Sequence, residues 1–209
     1  MNLTEKYKTY RSVGRELNNK IAATYAKRRV LLKSAKLLGI VKRGVLVFDS
    51  EDEMDVLMDF ALNEYRVNNQ NAVELYRRQT GLENEIEEEI LDALVSSYTS
   101  LFKITSVSKR QHLLVLSDLL NRREDIELID IGFSRTAIPG LLLFLRVVHC
   151  KDFNMSSGIA FVFPGDLEDY LLGRYKRLRG RAKSRQNSIK RFVSFYKLSK
   201  TDGIEVRYE

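Results

Sequence analysis

"LLLFLRVVHC", Leu141 to Cys150, decides the fold. It is apolar at almost every position, rich in β-compatible residues, and bounded by Pro139-Gly140 before it and Lys151-Asp152 after it. Spanning a bilayer takes about 20 apolar residues. The apolar run Ile138–Val148 is about half that and contains Arg146, so the spacing predicts a buried strand. Its neighbours follow suit. "SLFKITSV" alternates around Phe102 and Ile104, and "QHLLVLSDLL" is strand-compatible. "DIELIDIGF" alternates Ile126 and Leu128 against Ile129, Ile131 and Phe133, and "GIAFVF" is a further short strand. Five short strands linked in series by polar turns predict a small antiparallel β-sheet, or a barrel that resembles an SH3-like one.

Before this region the period is helical, and no proline occurs before Pro139. Leu3, Tyr7, Tyr10, Leu17, Ile21, Tyr25, Leu32 and Ala35 form one stripe at about 100° per residue. One helix is expected from Leu3 to Leu38, opened by the pair Asn2/Glu5 and stopped by Gly39. A second starts after Ser50, where "SEDE" reads as a capping box of Ser50 and Glu53. It either breaks at "NNQN" or runs to Thr80, with Gly81 as terminator. A third covers about Glu83 to Ser97. After Pro164-Gly165, Asp166 caps a long final helix whose stripe is Leu167, Leu171, Tyr175, Leu178, Ala182, Ile189, Phe192, Val193 and Tyr196. "TDG" turns the chain and "IEVRY" alternates like a terminal strand. The expected architecture is α+β: a helical region over 1–97, the sheet or barrel over 98–164, and a basic amphipathic helix with a terminal strand over 165–209.

The 209 residues are 44% hydrophobic and 30% charged, with a net charge of +7. That is ordinary for a soluble globular protein and argues against wholesale disorder. The single cysteine, Cys150, permits no intrachain disulfide and no CxxC knuckle. With no apolar signal core in "MNLTEKYKTYRS", a cytoplasmic location and no membrane span are expected.

The modest net charge conceals opposed blocks. Residues 1–45 carry 12 Lys and Arg against 2 acids, and residues 46–96 carry 3 against 14. Residues 166–209 return to 12 against 6. On the first helix Lys8, Arg11, Arg15, Arg29, Lys33 and Lys36 fall beside the apolar stripe, in a row about 40 Å long if the helix is continuous. In the last helix Arg174, Arg177, Arg181 and Arg185 line one shoulder of the stripe, with Lys176, Arg179 and Lys183 near the other. Such rows suit a phosphate backbone, since each neutralised phosphate releases counterions. They equally suit a solvated face, or one docked on "SEDEMD" and "ENEIEEE".

Catalytic chemistry has little anchor. GxxxxGK[ST], GxGxxG and GxSxG are absent, so no cofactor is expected. His112 and His149 are expected in strands, and Cys150, adjacent to His149, would point to the opposite face. These residues with Asp118 have no metal-ligand spacing, and the glutamates Glu83, Glu85, Glu87, Glu88 and Glu89 lack a histidine partner. Tyr7, Tyr10, Phe102, Phe161 and Phe163 sit where core packing is the default. In "CKDFNMSSGIAF", Asn154, Ser156, Ser157 and Gly158 are expected in a polar loop able to touch a ligand. The sequence favours a non-enzymatic binder of RNA, DNA or ribonucleoprotein, contacting phosphates through the ten cations of the two rows. The alternatives are an assembly module, homodimeric or docked to an acidic protein through its charge blocks, and an enzyme with an unfamiliar site around His112 or His149.

Overall fold

The computed structural model describes residues 2–50, 52–80, 84–181 and 183–204. The chain divides into two compact units, Lys8–Ser96 and Met1–Tyr7 with Ser97–Glu209.

The helical elements are α1 (Leu3–Tyr25), α2 (Arg28–Leu38), α3 (Glu53–Asp59, prolonged by a π turn over Phe60–Glu64), α4 (Ala72–Gln79) and α5 (Glu85–Ser96). A two-stranded hairpin of β1 (Val41–Lys42) and β2 (Val45–Leu46) lies between α2 and α3. The expected start of α1 holds: the Asn2 N–H donates to Glu5 Oε2 at 3.1 Å and the Glu5 N–H to Asn2 Oδ1 at 2.9 Å. Gly39 stops α2 in the left-handed region, φ 88. The single helix expected over Leu3–Leu38 is corrected to two. Lys27 is extended, with ψ 155, and its N–H reaches only Tyr25 O. Three consecutive cations, Lys27, Arg28 and Arg29, stand at this break. Beyond it α2 buries Ala35 and Leu38, while α1 buries Tyr10, Leu17 and Ile21.

The expected Ser50 cap is also corrected. α3 begins at Glu53, whose carboxylate reaches back to the Asp49 N–H at 2.5 Å. "NNQN" does break the helix: Asn68 and Asn69 adopt φ 52 and 65 between bridged Val67 and Gln70. Asn71 then opens α4 with a capping box to Glu74. Gly81 and Glu83 lie outside the described residues.

The second unit holds β3 (Tyr98–Ser108), β4 (Leu113–Asp118), β5 (Ile126–Ile129), α6 (Phe133–Thr136), β6 (Leu142–His149), β7 (Asn154–Phe163), a 3-10 turn (Gly165–Leu167), α7 (Glu168–Arg181) and α8 (Asn187–Asp202). The protein is α+β, as the sequence pattern requires. The strands pair in a ring in the order β3-β4-β5-β7-β6 and back to β3. The long β3 serves two partners, pairing with β6 over Tyr98–Lys103 and with β4 over Phe102–Ser108, and its register shifts between Ile104 and Ser106. All pairings are antiparallel except β5 with β7, a parallel seam of Leu128↔Asn154 and Ile129↔Met155. This seam corrects the purely antiparallel expectation. α6 and the Pro139-Gly140 turn carry the chain across to β3, so β6 lies beside β3. β7 then hairpins back into the gap next to β5 and runs the same way. The barrel interior is Phe102, Ile104, Leu114, Leu116, Leu128, Leu143, Leu145, Val147 and Val162, with Phe133 and Ala137 from around α6.

The single long helix expected after Asp166 is corrected to an antiparallel hairpin. Tyr175 of α7 stacks on Phe195 of α8 at 5.0 Å, and the Tyr170 hydroxyl reaches Asp202 Oδ1 at 3.4 Å. A straight helix over that span would run about 50 Å, whereas the 10-residue strand β7 offers about 33 Å of surface to lie on. Folding back lets both halves bury the stripe. α8 lays Phe192, Phe195 and Tyr196 on Phe144, Phe161 and Phe163 of the outer faces of β6 and β7, with Phe144 and Phe195 4.5 Å apart. Ala182 lies outside the described residues. The Ile204 N–H donates to Val162 O at 2.8 Å, and the rest of the expected terminal strand is likewise outside them.

Phe144 touches three of these rings and is 2% exposed. Phe144→Ala should lower the unfolding free energy by about 3–5 kcal/mol, read as a shift of the urea midpoint.

Candidate nucleic-acid interface

Lys8, Arg15, Arg29, Lys33 and Lys36 are exposed and Arg11 is partly buried. The break at Lys27 divides this row, so Lys8, Arg11 and Arg15 ride on α1 and Arg29, Lys33 and Lys36 on α2. Each triplet stays within about 60° of arc, but one unbroken helical face about 40 Å long does not exist. The acidic segment has its own partners. Glu87, 3% exposed, pairs with Lys20 at 3.2 Å; Glu88 and Asp92 hold Arg77 at 3.1 and 2.5 Å; Glu74 holds Arg66 at 2.7 Å. Glu89 accepts the Tyr10 hydroxyl at 2.7 Å. Among the described residues no carboxylate lies within ion-pair distance of Lys8, Arg15, Arg29, Lys33 or Lys36.

The second set belongs to the barrel unit. Arg177, Arg181 and Arg185 are exposed, as are Lys176, Arg179 and Lys183. Arg174 is partly buried and its guanidinium sits 5.7 Å from the Tyr170 ring, as Arg179 sits 5.7 Å from that of Tyr175. Among the described residues none of Lys176, Arg177, Arg181, Lys183 and Arg185 has a carboxylate within ion-pair distance. The ridge of α7 opposite buried Leu171 carries Gly173 and Gly180, within about 20° of one another. An added Cβ on either would meet no heavy atom within 4 Å. Lys176 and Arg179 flank this ridge on one side, Arg177 and Arg181 on the other.

On the barrel, α8 packs against β7 and β3 and its rings cover the outward Phe144 of β6. The outward positions of the β4–β5 pair are Leu113, Val115, Ser117, Glu127 and Ile129, of which only Ile129 is buried. Lys103, opposite Ser117, is tied to Glu168 at 2.9 Å. At the end of β4 buried Asp118 takes hydrogen bonds from Ser100 Oγ at 2.5 Å, from the Leu120 and Asn121 N–H groups at 3.0 Å and from Asn121 Nδ2 at 2.9 Å, fixing the β4–β5 loop. Tyr98 carries Arg123 4.3 Å over its ring and stacks on His149 at 5.8 Å. Burial, reinforced by the Asp118 charge, pushes the Tyr98 hydroxyl above its usual range.

The remaining chemical candidates take structural places. His112 is corrected from strand to turn: it ends the β3–β4 connection with φ 57, its Nδ1 3.4 Å from Ser134 Oγ. His149 ends β6 with Nδ1 2.6 Å from Asn154 Oδ1, and Cys150 is buried. Asn154, Ser156, Ser157 and Gly158 are not in a loop but in β7, because the β6–β7 turn is only residues 150–153. Asn154 Nδ2 donates to Glu127 O at 2.8 Å and Ser156 Oγ to Asp130 Oδ2 at 3.2 Å, stitching the side chains of β7 to the chain around β5. Tyr7, Tyr10, Phe102, Phe161 and Phe163 are all buried. Among the described residues no group of three or more His, Cys, Asp or Glu could hold a metal, and no helix is long and apolar enough to cross a membrane.

Five strands with the fifth seated between the third and fourth, a long first strand shared by two neighbours and a short helix before the fourth give a Greek-key barrel with the strand order of the OB fold, followed here by a basic helical hairpin. Over residues 1–209 the chain matches a family of unknown function, DUF7986, and it belongs to that family. No curated protein and no solved structure matches it.

The sequence pattern did not single out the glycine ridge, although the seven-residue spacing was there to see. Both glycines are helical, with open space above them. Gly173→Ala and Gly180→Ala should each stabilise the protein by about 0.5–1 kcal/mol, measured by thermal unfolding.

Proposed function

We propose that this protein is a non-enzymatic, cytoplasmic nucleic-acid-binding protein that holds phosphates with helix-borne cations. Its contacts are Lys8, Arg11, Arg15, Arg29, Lys33 and Lys36 on α1 and α2, and Arg174, Arg177, Arg181 and Arg185 on α7 and the turn after it. One observation carries the proposal. Four carboxylates of the acidic segment pair with Lys20, Arg66 and Arg77, while eight of these ten cations, all but Arg11 and Arg174, are exposed with no carboxylate within ion-pair distance among the described residues. Unpaired cations clustered on a surface attract polyanions and gain from counterion release. The OB-type strand order supports the same class of partner by analogy of fold alone. A charge-block dimer has less to work with to the extent that Glu74, Glu87, Glu88 and Asp92 already pair inside their own unit, while exposed Asp52, Asp55 and Glu85 are what it would have to use. Contacts of this kind give affinity with little sequence preference.

Fluorescence anisotropy with a labelled nucleic acid tests the proposal. If about six cations touch phosphates, affinity should fall about 10³-fold between 50 and 200 mM salt. Absence of binding at 50 mM, or equal binding at both concentrations, would reject it.

A further inference from the structure

We infer that the α7–α8 hairpin recognises a B-form DNA duplex, seating α7 across a groove with one cation row toward each phosphate strand; this rests on the nucleic-acid reading above. The first ground is what the barrel lacks. Proteins that hold unpaired strands combine cations with aromatic rings on which bases stack. The outward β4–β5 positions are Leu113, Val115, Ser117, Glu127 and buried Ile129. They supply an acid, no ring and no cation, and neighbouring Lys103 is engaged by Glu168. Tyr98, the ring at the rim, already has Arg123 over it and His149 stacked on it. An unpaired strand would find little there to stack on.

The second ground is the form of α7. Its cations make two rows, Lys176 with Arg179 and Arg177 with Arg181, on either side of the ridge bearing Gly173 and Gly180. A helix is about 10–12 Å across, so the rows stand about one helix width apart. An unpaired strand offers a single line of phosphates and could satisfy only one row. A duplex offers two lines across a groove, and the B-form major groove, about 12 Å wide, admits a helix. The A-form major groove is too deep and narrow for this. Between Gly173 and Gly180 no side chain stands on the ridge, so there the backbone of α7 can approach the groove floor while both rows reach outward; exposed Asp169, one turn before Gly173, marks where the bare crest ends. Lys183 and Arg185, exposed in the turn beyond α7, extend the positive surface past its end.

The test is competition anisotropy with the full chain at about 100 mM salt, using a DNA duplex, one of its strands, and the RNA duplex of the same sequence. The DNA duplex should bind at least about 10-fold tighter than either competitor. Lys176→Gln, Arg177→Gln, Arg179→Gln and Arg181→Gln combined should lose at least about 30-fold for the DNA duplex. Gly173→Gln with Gly180→Gln, which suits a helix better than glycine, should leave the melting temperature unchanged or raised and lower duplex affinity about 10-fold. Equal or tighter binding of the unpaired strand or the RNA duplex overturns this inference and leaves the nucleic-acid reading standing. Undiminished duplex affinity in the folded glycine variant overturns groove seating. No binding of any of the three overturns both.

Discussion

The aromatic seam between α8 and the outer faces of β6 and β7 governs much of the barrel unit. Phe144, Phe161 and Phe163 on the strands meet Phe192, Phe195 and Tyr196 on the helix, with centroids 4.5–6.4 Å apart. Rings of this size contribute more than their area when they meet edge-on or offset-stacked. Because α8 is committed to that face, α7 can bury its stripe only by folding back on α8, as the Tyr175–Phe195 stack records. The cation-rich end of α7 is thereby held on a packed scaffold instead of trailing as a charged tail. The same commitment leaves the β4–β5 side of the barrel without a helix.

Much of this was legible in the sequence. The apolar run of β6, the alternation around Phe102 and Ile104, and the Asn2/Glu5 and Gly39 signals are local, and local patterns survive into the fold. The breaks at Lys27 and between α7 and α8 were not legible, since both stripes keep helical phase across them. A stripe that fits one long helix fits two antiparallel helices equally well, and the length of the surface beneath decides between them. The parallel seam was hidden for a similar reason: strand patterns give faces, while the crossing of α6 and the Pro139-Gly140 turn gives order. The β1–β2 hairpin had a signal in Arg43-Gly44, between β-branched Val41 and Val45, that the strong helical pattern on either side obscured.

The cation rows were legible as composition but not as availability. Sequence alone allowed "ENEIEEE" to neutralise them. Instead Glu87, Glu88 and Glu89 meet Lys20, Arg77 and Tyr10, which sit at other positions on α1 and α4. Glu87 shows why. Buried to 3% exposure, a carboxylate needs a close charged or hydrogen-bonding partner, and Lys20 lies within reach. An exposed glutamate gains at most about 1 kcal/mol from pairing and exerts no comparable pull on a distant lysine. Burial fixes the Glu87–Lys20 pair, proximity between α4 and α5 gives Arg77 its exposed partners Glu88 and Asp92, and the cations left without a carboxylate nearby form the surface.

Between Gly173 and Arg181 two unfavourable choices coincide. Helix-interior glycine costs about 1 kcal/mol relative to alanine, and neither glycine is needed for packing, since nothing approaches the space above it. Like charges at i,i+4, as in Arg177 and Arg181, are destabilising as well. Local choices that oppose folding are expected where a function requires them and the rest of the molecule offsets their cost. Here the offset is close at hand in the ring contacts of α8. A solvated helix face would need cations, but it would need neither bare backbone along its crest nor matching positive rows on each side of that crest. The combination of crest and rows, more than the net charge of the chain, distinguishes a surface shaped for a partner from one that is merely soluble.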